Sequence, residues 1–294
     1  MKVIDIFKEN AKHTEKPLVS FEIFPPKKGV TIENVGELLT ELKKLDPGFV
    51  SVTCSAGGSG NKNGTVDLAG MIKNDFGIES VAHLTCIAST RGHIEEQLDK
   101  IKSANIENVL ALRGDIPKEG FDPSKAEYKY AKELIKDIKA YSDLGISAAA
   151  YPEGHIDCED FDLSVEYMKQ KEDAGADVFV SQLFFENSYF YNMMDKAIQK
   201  GIKAPVSAGI MPMMSKNQIL NMILMCGASL PSKLIKLLSK YADNEEDLLK
   251  AGLDYAGGQI EQLKNDNVDG IHIYTMNKPD VAAGILASLS EIVT

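Results

Sequence analysis

Residues 18–28 read LVSFEIFPPKK, a strand-like run that contains a single acid and ends in two prolines and two lysines. Side chains alternate between the two faces of a strand, so Glu22 shares a face with Ser20 and Phe24, while Phe21 and Ile23 lie on the other. The turn that follows, FPPKKG, lacks the GxGxxG pattern expected after the first strand of an open doubly wound sheet. Burying a carboxylate in such a strand is costly unless it is paired or kept protonated for a task, so Glu22 is a candidate functional residue.

The rest of the chain alternates similar strands with helices. Helical segments such as IENVGELLTELKKL and IEEQLDKIKSANI place apolar residues near i, i+3, i+4 and i+7, and several helices end at a glycine, as in KNDFG, KEDAGA and AIQKG. The strand-like segments are LVSFEIFP (18–25), GFVSVTCS (48–55), SVAHLTCI (80–87), NVLALRGD (108–115), SAAAYPEG (147–154), VFVSQLFF (178–185), PVSAGIMP (205–212) and GIHIYTMN (270–277).

Eight strand-then-helix units, the last helix being VAAGILASLSEIV, predict an α/β fold of the closed (β/α)8 type, a TIM barrel. An open doubly wound sheet is the alternative fold. Residues 230–267 are too many for a single connection, so they predict extra helices inserted before the last strand. We expect a single barrel domain over residues 1–294.

The composition argues against several functional classes. The 294 residues carry a net charge of −11 with a pI near 5.0, whereas Lys and Arg supply most of the affinity for nucleic acids and for anionic membrane surfaces. No signal-peptide core and no apolar run of about 18 residues is present, which predicts a soluble, cytoplasmic protein. The four cysteines have no zinc-type spacing, so we expect buried free thiols and no metal site.

Polar residues gather where the predicted strands end. In (β/α)8 barrels the catalytic groups lie at these carboxyl ends and in the loops that follow them. A ring of polar residues there indicates a large polar ligand across the mouth of the barrel, although each histidine, an Arg113–Asp115 ion pair or Gln182 could alone be structural. The ring consists of Glu22, Thr53, His83, Thr85, Arg113, Asp115, Tyr151, His155, Gln182, Tyr274, Asn277 and Lys278.

Short motifs in a fixed order extend over residues 20–278 and together resemble the methylenetetrahydrofolate reductase family, in its bacterial single-domain, FAD-dependent form. They are SFEIFPPK, FVSVTCSAGG, HLTCI, NVLALRGDIP, AAYPEGH, KEDAGAD, SQLFFE, GIMP and IHIYTMNK. The resemblance implies a barrel that binds FAD at the carboxyl ends of its strands. It also implies a ping-pong reaction of one-carbon metabolism and methionine biosynthesis. NADH or NADPH reduces FAD and leaves, and 5,10-methylenetetrahydrofolate is then reduced to 5-methyltetrahydrofolate.

The resemblance assigns two catalytic carboxyl groups. Glu22 matches the general acid that protonates the folate nitrogen as its five-membered ring opens to an iminium cation. Asp115 matches the anion that stabilises this cation and tunes the flavin. Because the sequence neighbours of Glu22 are apolar, we expect burial to raise its pKa until it holds a proton near neutral pH. Glu22 would then be the acid and Asp115 the anion of the pair.

Other residues match the family's ligand contacts. Arg113 and Lys171 are expected to offset phosphate charge. The cofactor-binding set for FAD is Thr53, Ala56, His83, Arg113, Gly114, Asp115, Tyr130, Ala131, Tyr151, His155 and Lys171. The substrate-binding set for the folate is Glu22, Asp115, Gln182, Gln218 and Lys278.

Four positions depart from the family's pattern. Ser164 lies seven residues before Lys171, where many relatives have an aspartate, and Cys54 stands where relatives carry an aromatic residue. Met222 replaces a phenylalanine near the substrate. Lys278 replaces an arginine, which keeps a positive charge for the folate tail but loses the bidentate fork.

The sequence leaves two other functions open. One is a different flavin-dependent barrel, such as a proline-dehydrogenase-like oxidoreductase. The other is a flavin-binding subunit of an electron-transfer complex, fed by a separate iron–sulfur partner, since this chain has no cysteine cluster of its own. The resemblance implies a homo-oligomer, and the sequence does not decide between NADH, NADPH and another electron donor.

Overall fold

Eight parallel strands close into a barrel, in a computed structural model that describes residues 1–26, 32–54, 64–117 and 121–290. Each strand pairs with the next along the chain, and the eighth pairs with the first. The strands are β1 Leu18–Ile23, β2 Phe49–Val52, β3 Ser80–Thr85, β4 Asn108–Leu112, β5 Gly145–Ala150, β6 Val178–Ser181, β7 Val206–Ile210 and β8 Gly270–Tyr274. The predicted (β/α)8 barrel is therefore confirmed, and the open sheet is excluded.

Helices connect the strands around this barrel. In the described part of the chain they are α1 Val3–His13, α2 Ile32–Lys43, α3 Gly64–Asn74, α4 Arg91–Ser103, α5 Ala131–Tyr141, α6 Phe161–Ala174, α7 Asn187–Gln199, α8 Lys216–Cys226, α9 Ser232–Lys240, α10 Glu245–Asn265 and α11 Pro279–Ser290. The prediction that helices end at a glycine is confirmed for α6, where Gly175 follows the last residue of the helix with a φ of +119°. None of these helices is both long enough and apolar enough to cross a membrane.

The predicted extra helices are present between β7 and β8. Helix α10 packs on the outside of the barrel, where Ala256, Ile260 and Leu263 join the main core. Helices α8 and α9 build a separate apolar cluster with the segments that follow β6 and β7. This second cluster contains Leu183, Phe185, Met211, Met213, Ile219, Leu234 and Leu238. The chain between β7 and α10 therefore forms an additional apolar cluster at the carboxyl end of the barrel, beside the strand ends.

The strand register decides which side chains face the barrel interior. Residue Glu22 lies opposite Ser51 of β2 and Tyr274 of β8, and Ser20 lies opposite His272. Paired residues of neighbouring strands point to the same side of a sheet. These polar residues therefore share the interior, and Ser20 and Glu22 lie on one face as the alternation in residues 18–25 predicts.

The opposite face of β1 packs against the helices. Phe21 and Ile23 are fully buried in the main core between sheet and helices. At the amino end of the barrel, Phe7 of α1 joins an apolar cluster with Leu18 and Phe49. The barrel is thus closed by apolar packing at one end, while polar side chains line the interior toward the other.

All four cysteines are free thiols, as predicted. The expectation that all are buried is wrong, since only Cys86 is buried, Cys54 is exposed, and Cys158 and Cys226 are half-buried. Residues Cys54 and Cys158 lie in loops after β2 and β5, where a side chain meets the open end of the barrel rather than the core.

Candidate active site

Two adjoining cavities open at the carboxyl ends of the strands. The first has a volume of about 720 Å³ and the second of about 700 Å³. They share five lining residues: Leu112, Arg113, Ala149, Tyr151 and His155. Together they form one long cleft, which we call the mouth cleft, across the strand ends where catalytic groups lie in (β/α)8 barrels.

The mouth cleft collects most of the predicted polar ring. Its first cavity is lined by Glu22, Thr53, His83, Thr85, Arg113, Asp115, Tyr151, His155, Gln182 and Tyr274. Its second cavity contains the other predicted cofactor-binding residues Tyr130, Ala131 and Lys171. Ala56 lies outside the described residues. Side chains that the sequence analysis selected on distant strands therefore lie along one cleft.

Glu22 lies at the inner end of the first cavity and is 9% exposed. Its Oε2 atom is 3.5 Å from the Ser51 hydroxyl, 3.4 Å from Nε2 of His83 and 3.7 Å from Nε2 of His272. The backbone carbonyl of Glu22 accepts a hydrogen bond of 2.7 Å from the hydroxyl of Thr275. One carboxylate oxygen is therefore faced by a hydroxyl and two imidazoles from three other strands.

The expectation of a raised pKa for Glu22 is wrong for the protein without ligands. Burial would raise the pKa, but interactions with the His272 imidazole, with His83 and with the Ser51 hydroxyl outweigh it, and the pKa lies below its ordinary value of 4.5. The apolar neighbours Phe21 and Ile23 face the helices instead of the carboxyl group. These partners therefore favour the ionised form of Glu22.

His83 is buried with one ring nitrogen unsatisfied. Burial lowers its pKa below the ordinary 6.5, an effect that the nearby Glu22 carboxylate only partly opposes. Its Nε2 atom has no hydrogen-bond partner among the described residues, despite lying 3.4 Å from Oε2 of Glu22. Unsatisfied buried nitrogens are uncommon in folded proteins, so this one is available to a ligand in the first cavity.

The side chain of Tyr274 extends from β8 over Gly209 of β7 to the end of β6. Its hydroxyl donates a hydrogen bond of 2.7 Å to the carbonyl oxygen of Ser181 at the end of β6. A Cβ atom on Gly209 would lie 2.9 Å from Cε2 of Tyr274 and would also collide with the Ser181 carbonyl. Glycine is therefore required in β7 to let the tyrosine ring form one wall beside Glu22.

The loop after β4 presents Arg113, Gly114 and Asp115 to the first cavity. Gly114 has a φ of +83°, and a Cβ there would lie 2.9 Å from Cβ of Thr85. Arg113 forms an ion pair of 2.9 Å with Asp157, so the proposed structural pair between Arg113 and Asp115 is not the one that forms. Asp115 is exposed at the cleft, where its charge is accessible to a ligand.

The wall of the second cavity contains Lys171, with the acidic residues Asp157, Glu159 and Asp160 also in its lining. The Lys171 amine donates a hydrogen bond of 2.7 Å to the carbonyl of Ala149 and lies 5.1 Å from the ring centre of Tyr151. It has no ion-pair partner among the described residues, and burial lowers its pKa to about 8. The rings of Tyr130 and Tyr167 stack at 6.5 Å along the same cavity. An anion next to an aromatic or planar group would complement these walls.

Ser164 and Met222 have clear places in the structure. The Ser164 hydroxyl accepts a hydrogen bond of 3.2 Å from the backbone N–H of His155, so it fixes the loop after β5. Met222 packs in the apolar cluster formed by α8 and α9. Cys54 lines the first cavity, where its thiol lies 3.9 Å from the hydroxyl of Thr85.

The predicted folate residues are only partly brought together. Gln182 lines the first cavity, with its amide oxygen accepting a hydrogen bond of 2.9 Å from the Leu183 backbone. Gln218 caps its own loop through bonds with Met214 and Pro212, and it lies outside the lining of either cavity. Lys278 is exposed and also outside both linings.

Asn277 of the predicted ring has a structural role. Its side chain bonds to the backbone N–H of Phe24 at 2.8 Å and to the Phe24 carbonyl at 3.0 Å. These bonds tie the loop after β8 to the end of β1. Asn277 thereby fixes the strand that carries Glu22 without lining the cleft.

Sequence reasoning missed His272. This residue is fully buried, it lies beside Glu22, and its ring stacks on Phe49 with centres 5.8 Å apart. Its position in GIHIY, where it alternates with Ile271 and Ile273, could have indicated an interior histidine. Among the described residues, no group of three or more His, Cys, Asp or Glu side chains could hold a metal ion.

The fold and the cleft define a (β/α)8-barrel protein with a buried acid, two imidazoles and a lysine along one ligand site. The chain belongs to the methylenetetrahydrofolate reductase family, whose family model matches residues 7–290.

Relatives from plants and bacteria support this assignment. The chain is 33% identical to Methylenetetrahydrofolate reductase (NADH) 1 of Arabidopsis thaliana, over 99% of this chain and 51% of the plant protein. It is 30% identical to the 5,10-methylenetetrahydrofolate reductase of Escherichia coli (strain K12), over 92% of this chain and 90% of that protein. The chain thus spans about half the length of the plant relatives and most of the bacterial one.

A solved structure shares the fold at lower identity. A protein from Clostridium thermocellum, described as binding two copies of 5-methyl-5,6,7,8-tetrahydrofolic acid, aligns with a TM-score of 0.66 and 15% identity. The alignment covers 97% of this chain and 99% of that one. At this identity the likeness concerns the fold alone.

Proposed function

We propose that this protein reduces 5,10-methylenetetrahydrofolate to 5-methyltetrahydrofolate by a ping-pong reaction, with NADH or NADPH as hydride donor and FAD as bound cofactor. The observation that carries the proposal is the buried Glu22 carboxylate, faced by Ser51, His83 and His272 at the inner end of a cleft that also holds Asp115. A positioned acid and a nearby anion are the groups that ring opening to an iminium cation requires. Family membership gives this chemistry its substrate.

The residues of the mouth cleft fit FAD. The Lys171 amine has no ion-pair partner among the described residues, and Arg113 stands where the two cavities join, so both can face a pyrophosphate. The unsatisfied Nε2 of His83 and the close approach allowed at Gly114 suit a flat ring system in the first cavity. Tyr130, Ala131 and Tyr167 would border the distal part in the second cavity. When bound, FAD would supply hydride transfer, which no side chain performs.

Asp115 and Gln182 would orient the folate in the first cavity. Both line it together with Glu22. The exposed charge of Asp115 attracts the cationic iminium that forms when the folate ring opens, and the Gln182 amide supplies a hydrogen-bond donor to the pterin. These groups select a cationic, hydrogen-bonding substrate.

Glu22 would gain its proton when ligands fill the cleft. Its pKa is lowered by the hydrogen bond of the carboxylate and by the two imidazoles that it faces. Planar ligands that displace water from the cavity remove solvation of the carboxylate, and this raises the pKa of an acid. The proton on the Glu22 carboxyl then passes to the folate nitrogen, and the carboxylate that remains is stabilised by Ser51.

A two-step absorbance experiment tests the proposal. The purified chain is loaded with FAD under anaerobic conditions, and NADH or NADPH is added in separate cuvettes. We expect one or both donors to bleach the flavin, and 5,10-methylenetetrahydrofolate to restore its colour. A flavin that proline bleaches would indicate a proline-dehydrogenase-like enzyme instead. A flavin that only dithionite bleaches would indicate a subunit fed by a separate electron-transfer partner.

A further inference from the structure

The loop after β6 is buried although it belongs to no strand. This loop, residues 182–186, begins with Gln182, which lines the first cavity of the mouth cleft. The next three residues, Leu183, Phe184 and Phe185, are 3%, 0% and 1% exposed. The backbone carbonyl groups of a buried loop need partners that a sheet does not supply. Those partners therefore decide how firmly the loop is held.

Side chains supply most of these partners. Four of the five carbonyl groups from residue 181 to residue 185 accept a hydrogen bond from a side chain. The first two bonds come from the barrel itself. The Tyr274 hydroxyl donates to the Ser181 carbonyl at 2.7 Å, and the Ser181 hydroxyl donates to the Gln182 carbonyl at 2.9 Å.

The other two bonds come from α10, which lies in the insertion before the last strand. The side-chain amide of Gln259 donates to the Phe184 carbonyl at 3.3 Å, and the Tyr255 hydroxyl donates to the Phe185 carbonyl at 2.5 Å. Gln259 is 7% exposed. Burial raises the pKa of Tyr255 to about 12, so its hydroxyl keeps the proton that it donates at neutral pH. Helix α10 therefore holds the loop from the side opposite the cleft.

The conformation of the loop sets the direction of the Gln182 side chain. Its amide oxygen accepts a hydrogen bond of 2.9 Å from the backbone N–H of Leu183. With the oxygen engaged in this way, the two N–H donors of the amide are the groups left for a ligand in the first cavity. A backbone shift at Phe184 or Phe185 would turn the Leu183 N–H, and the amide would turn with it.

We propose that Tyr255 and Gln259 are positioning residues for Gln182, which hold the loop after β6 so that the amide of Gln182 presents its N–H donors to the substrate. Neither of them lines the mouth cleft. The inserted helix α10 thus contributes to substrate binding as well as covering the barrel. The inference rests on the proposed function, in which Gln182 binds the folate.

The experiment compares Tyr255→Phe and Gln259→Met with a matched control, Tyr191→Phe. The first variant removes one hydroxyl, and the second keeps the length of the side chain without its donors. Tyr191 of α7 donates a hydrogen bond of 2.5 Å to Asp266 at the carboxyl end of α10. The control therefore removes a bond of the same kind from the same helix, away from the loop. Flavin reduction by NADH or NADPH and flavin reoxidation by 5,10-methylenetetrahydrofolate are measured separately, the second at several folate concentrations.

We expect the folate concentration for half-maximal reoxidation to rise about three- to tenfold in Tyr255→Phe and in Gln259→Met, because a turned amide loses hydrogen bonds to the substrate. Flavin reduction should change less than about twofold, and Tyr191→Phe should behave like the unaltered protein in both half-reactions. A half-saturating folate concentration in the two loop variants equal to that of the control would overturn the inference.

A double variant tests whether Tyr255 acts through Gln182. In Gln182→Met the amide is absent, so Tyr255→Phe has nothing left to turn. We expect the second substitution to change folate binding by less than about twofold in the Gln182→Met background, because the effects of coupled residues are not additive. The same three- to tenfold loss in both backgrounds would show that Tyr255 acts on the site by another route, and the inference would fail.

Amide hydrogen exchange of the chain without cofactor separates this inference from the proposed function. The Leu183 N–H is protected by the Gln182 side chain, so it exchanges faster when the loop opens more often. We expect exchange over residues 182–186, followed by mass spectrometry, to be at least about fivefold faster in Tyr255→Phe and Gln259→Met and unchanged in Tyr191→Phe. Unchanged exchange in all three variants would refute the positioning role even in an active enzyme. Faster exchange in the loop variants of a protein that reduces no folate would refute only the proposed function.

Discussion

His83 and Glu22 face each other inside the barrel, with Nε2 of the imidazole 3.4 Å from Oε2 of the carboxylate and both side chains buried. Each group has a pKa below its ordinary value, His83 because burial disfavours its charge and Glu22 because its partners outweigh burial. The pair therefore takes up protons less readily in the folded protein than in the unfolded chain.

The first prediction is that acid destabilises this fold in two steps. A folded-state pKa below the unfolded value adds stability above the unfolded pKa, and that stability is lost as the pH falls. For His83 the loss begins as the pH falls through 6.5, and for Glu22 it begins near 4.5. Between about pH 7 and pH 3 the free energy of unfolding of the protein without cofactor, measured in urea, should therefore fall by up to about 1.4 kcal/mol per pH unit for each group, first for His83 and then for Glu22.

A variant of the histidine tests the first step. In His83→Gln the side chain does not titrate, so the slope of stability against pH between about 7 and 5 should shrink while the slope below it remains. The exposed His93 on α4 provides the control His93→Gln, which should keep the slope of the unaltered protein. A slope in His83→Gln equal to that of this control would show that His83 is not the group responsible.

The second prediction concerns Glu22→Gln. The amide keeps the size of the side chain and cannot donate a carboxyl proton, so FAD binding and flavin reduction should remain while folate reduction falls by at least about 100-fold. Stopped-flow absorbance measures the two half-reactions separately. Glu15→Gln, on the exposed segment before β1, should leave both rates unchanged. Equal losses in both half-reactions would remove the general-acid role.

The fold was largely predictable because its signals are local. The strands alternate or run apolar over a few residues, and glycines end the helices that precede them, so each β/α unit is visible by itself. The sequence did not show which of the helices α8, α9 and α10 packs on the barrel and which form a separate cluster. All three contain apolar residues, and only the packing of Ile260 and Leu263 on the barrel shows that α10 joins the outer layer.

The sequence indicated many of the polar side chains that line the mouth cleft, but not their electrostatics. Sequence neighbours suggested an apolar surrounding for Glu22, yet residues i−1 and i+1 of a strand face away from residue i. The groups that set its pKa, Ser51, His83 and His272, come from strands far along the chain. Barrel closure alone brings β8 next to β1, so the role of His272 could be read only from the strand register.

The third prediction concerns Lys171→Met. Removing the amine should weaken FAD binding by about 10- to 100-fold, the value of a charge-assisted hydrogen bond, while the empty protein is at least as stable as before. Because the pKa of Lys171 is lowered to about 8, the affinity of the unaltered protein should fall as the pH rises above about 8 and the amine loses its charge. Flavin fluorescence titrations at several pH values measure both effects.

A second lysine on the same helix is the control for this effect. Lys169 forms an ion pair with Glu172 at 3.2 Å and another with Asp173, away from the cleft. Lys169→Met should therefore bind FAD as tightly as the unaltered protein and keep its pH dependence. If both variants lost the same affinity, the effect would be one of overall charge and Lys171 would have no special place at the cofactor.

The fourth prediction concerns Asp115→Asn. Loss of the anion should slow folate reduction by about 100-fold, because the cationic iminium loses its counter-charge, and should raise the flavin reduction potential. Glu22 and its contacts should be unaffected, so the pH profile of the remaining activity keeps its shape. An unchanged folate half-reaction would show that the exposed carboxylate of Asp115 serves another purpose.

The fifth prediction concerns Gly209→Ala, which tests the wall beside Glu22. The added methyl group would meet the Ser181 carbonyl and lie 2.9 Å from the Tyr274 ring, so the ring must leave its place and its hydrogen bond of 2.7 Å to Ser181 must break. We expect a loss of about 2–3 kcal/mol in the free energy of unfolding. The matched control is Gly258→Ala on the exposed side of α10, where a Cβ would meet nothing within 4 Å and where alanine should stabilise the helix by about 0.5–1 kcal/mol. Urea unfolding measures both variants, and a Gly209→Ala protein as stable as the starting one would mean that Tyr274 does not need the space above this glycine.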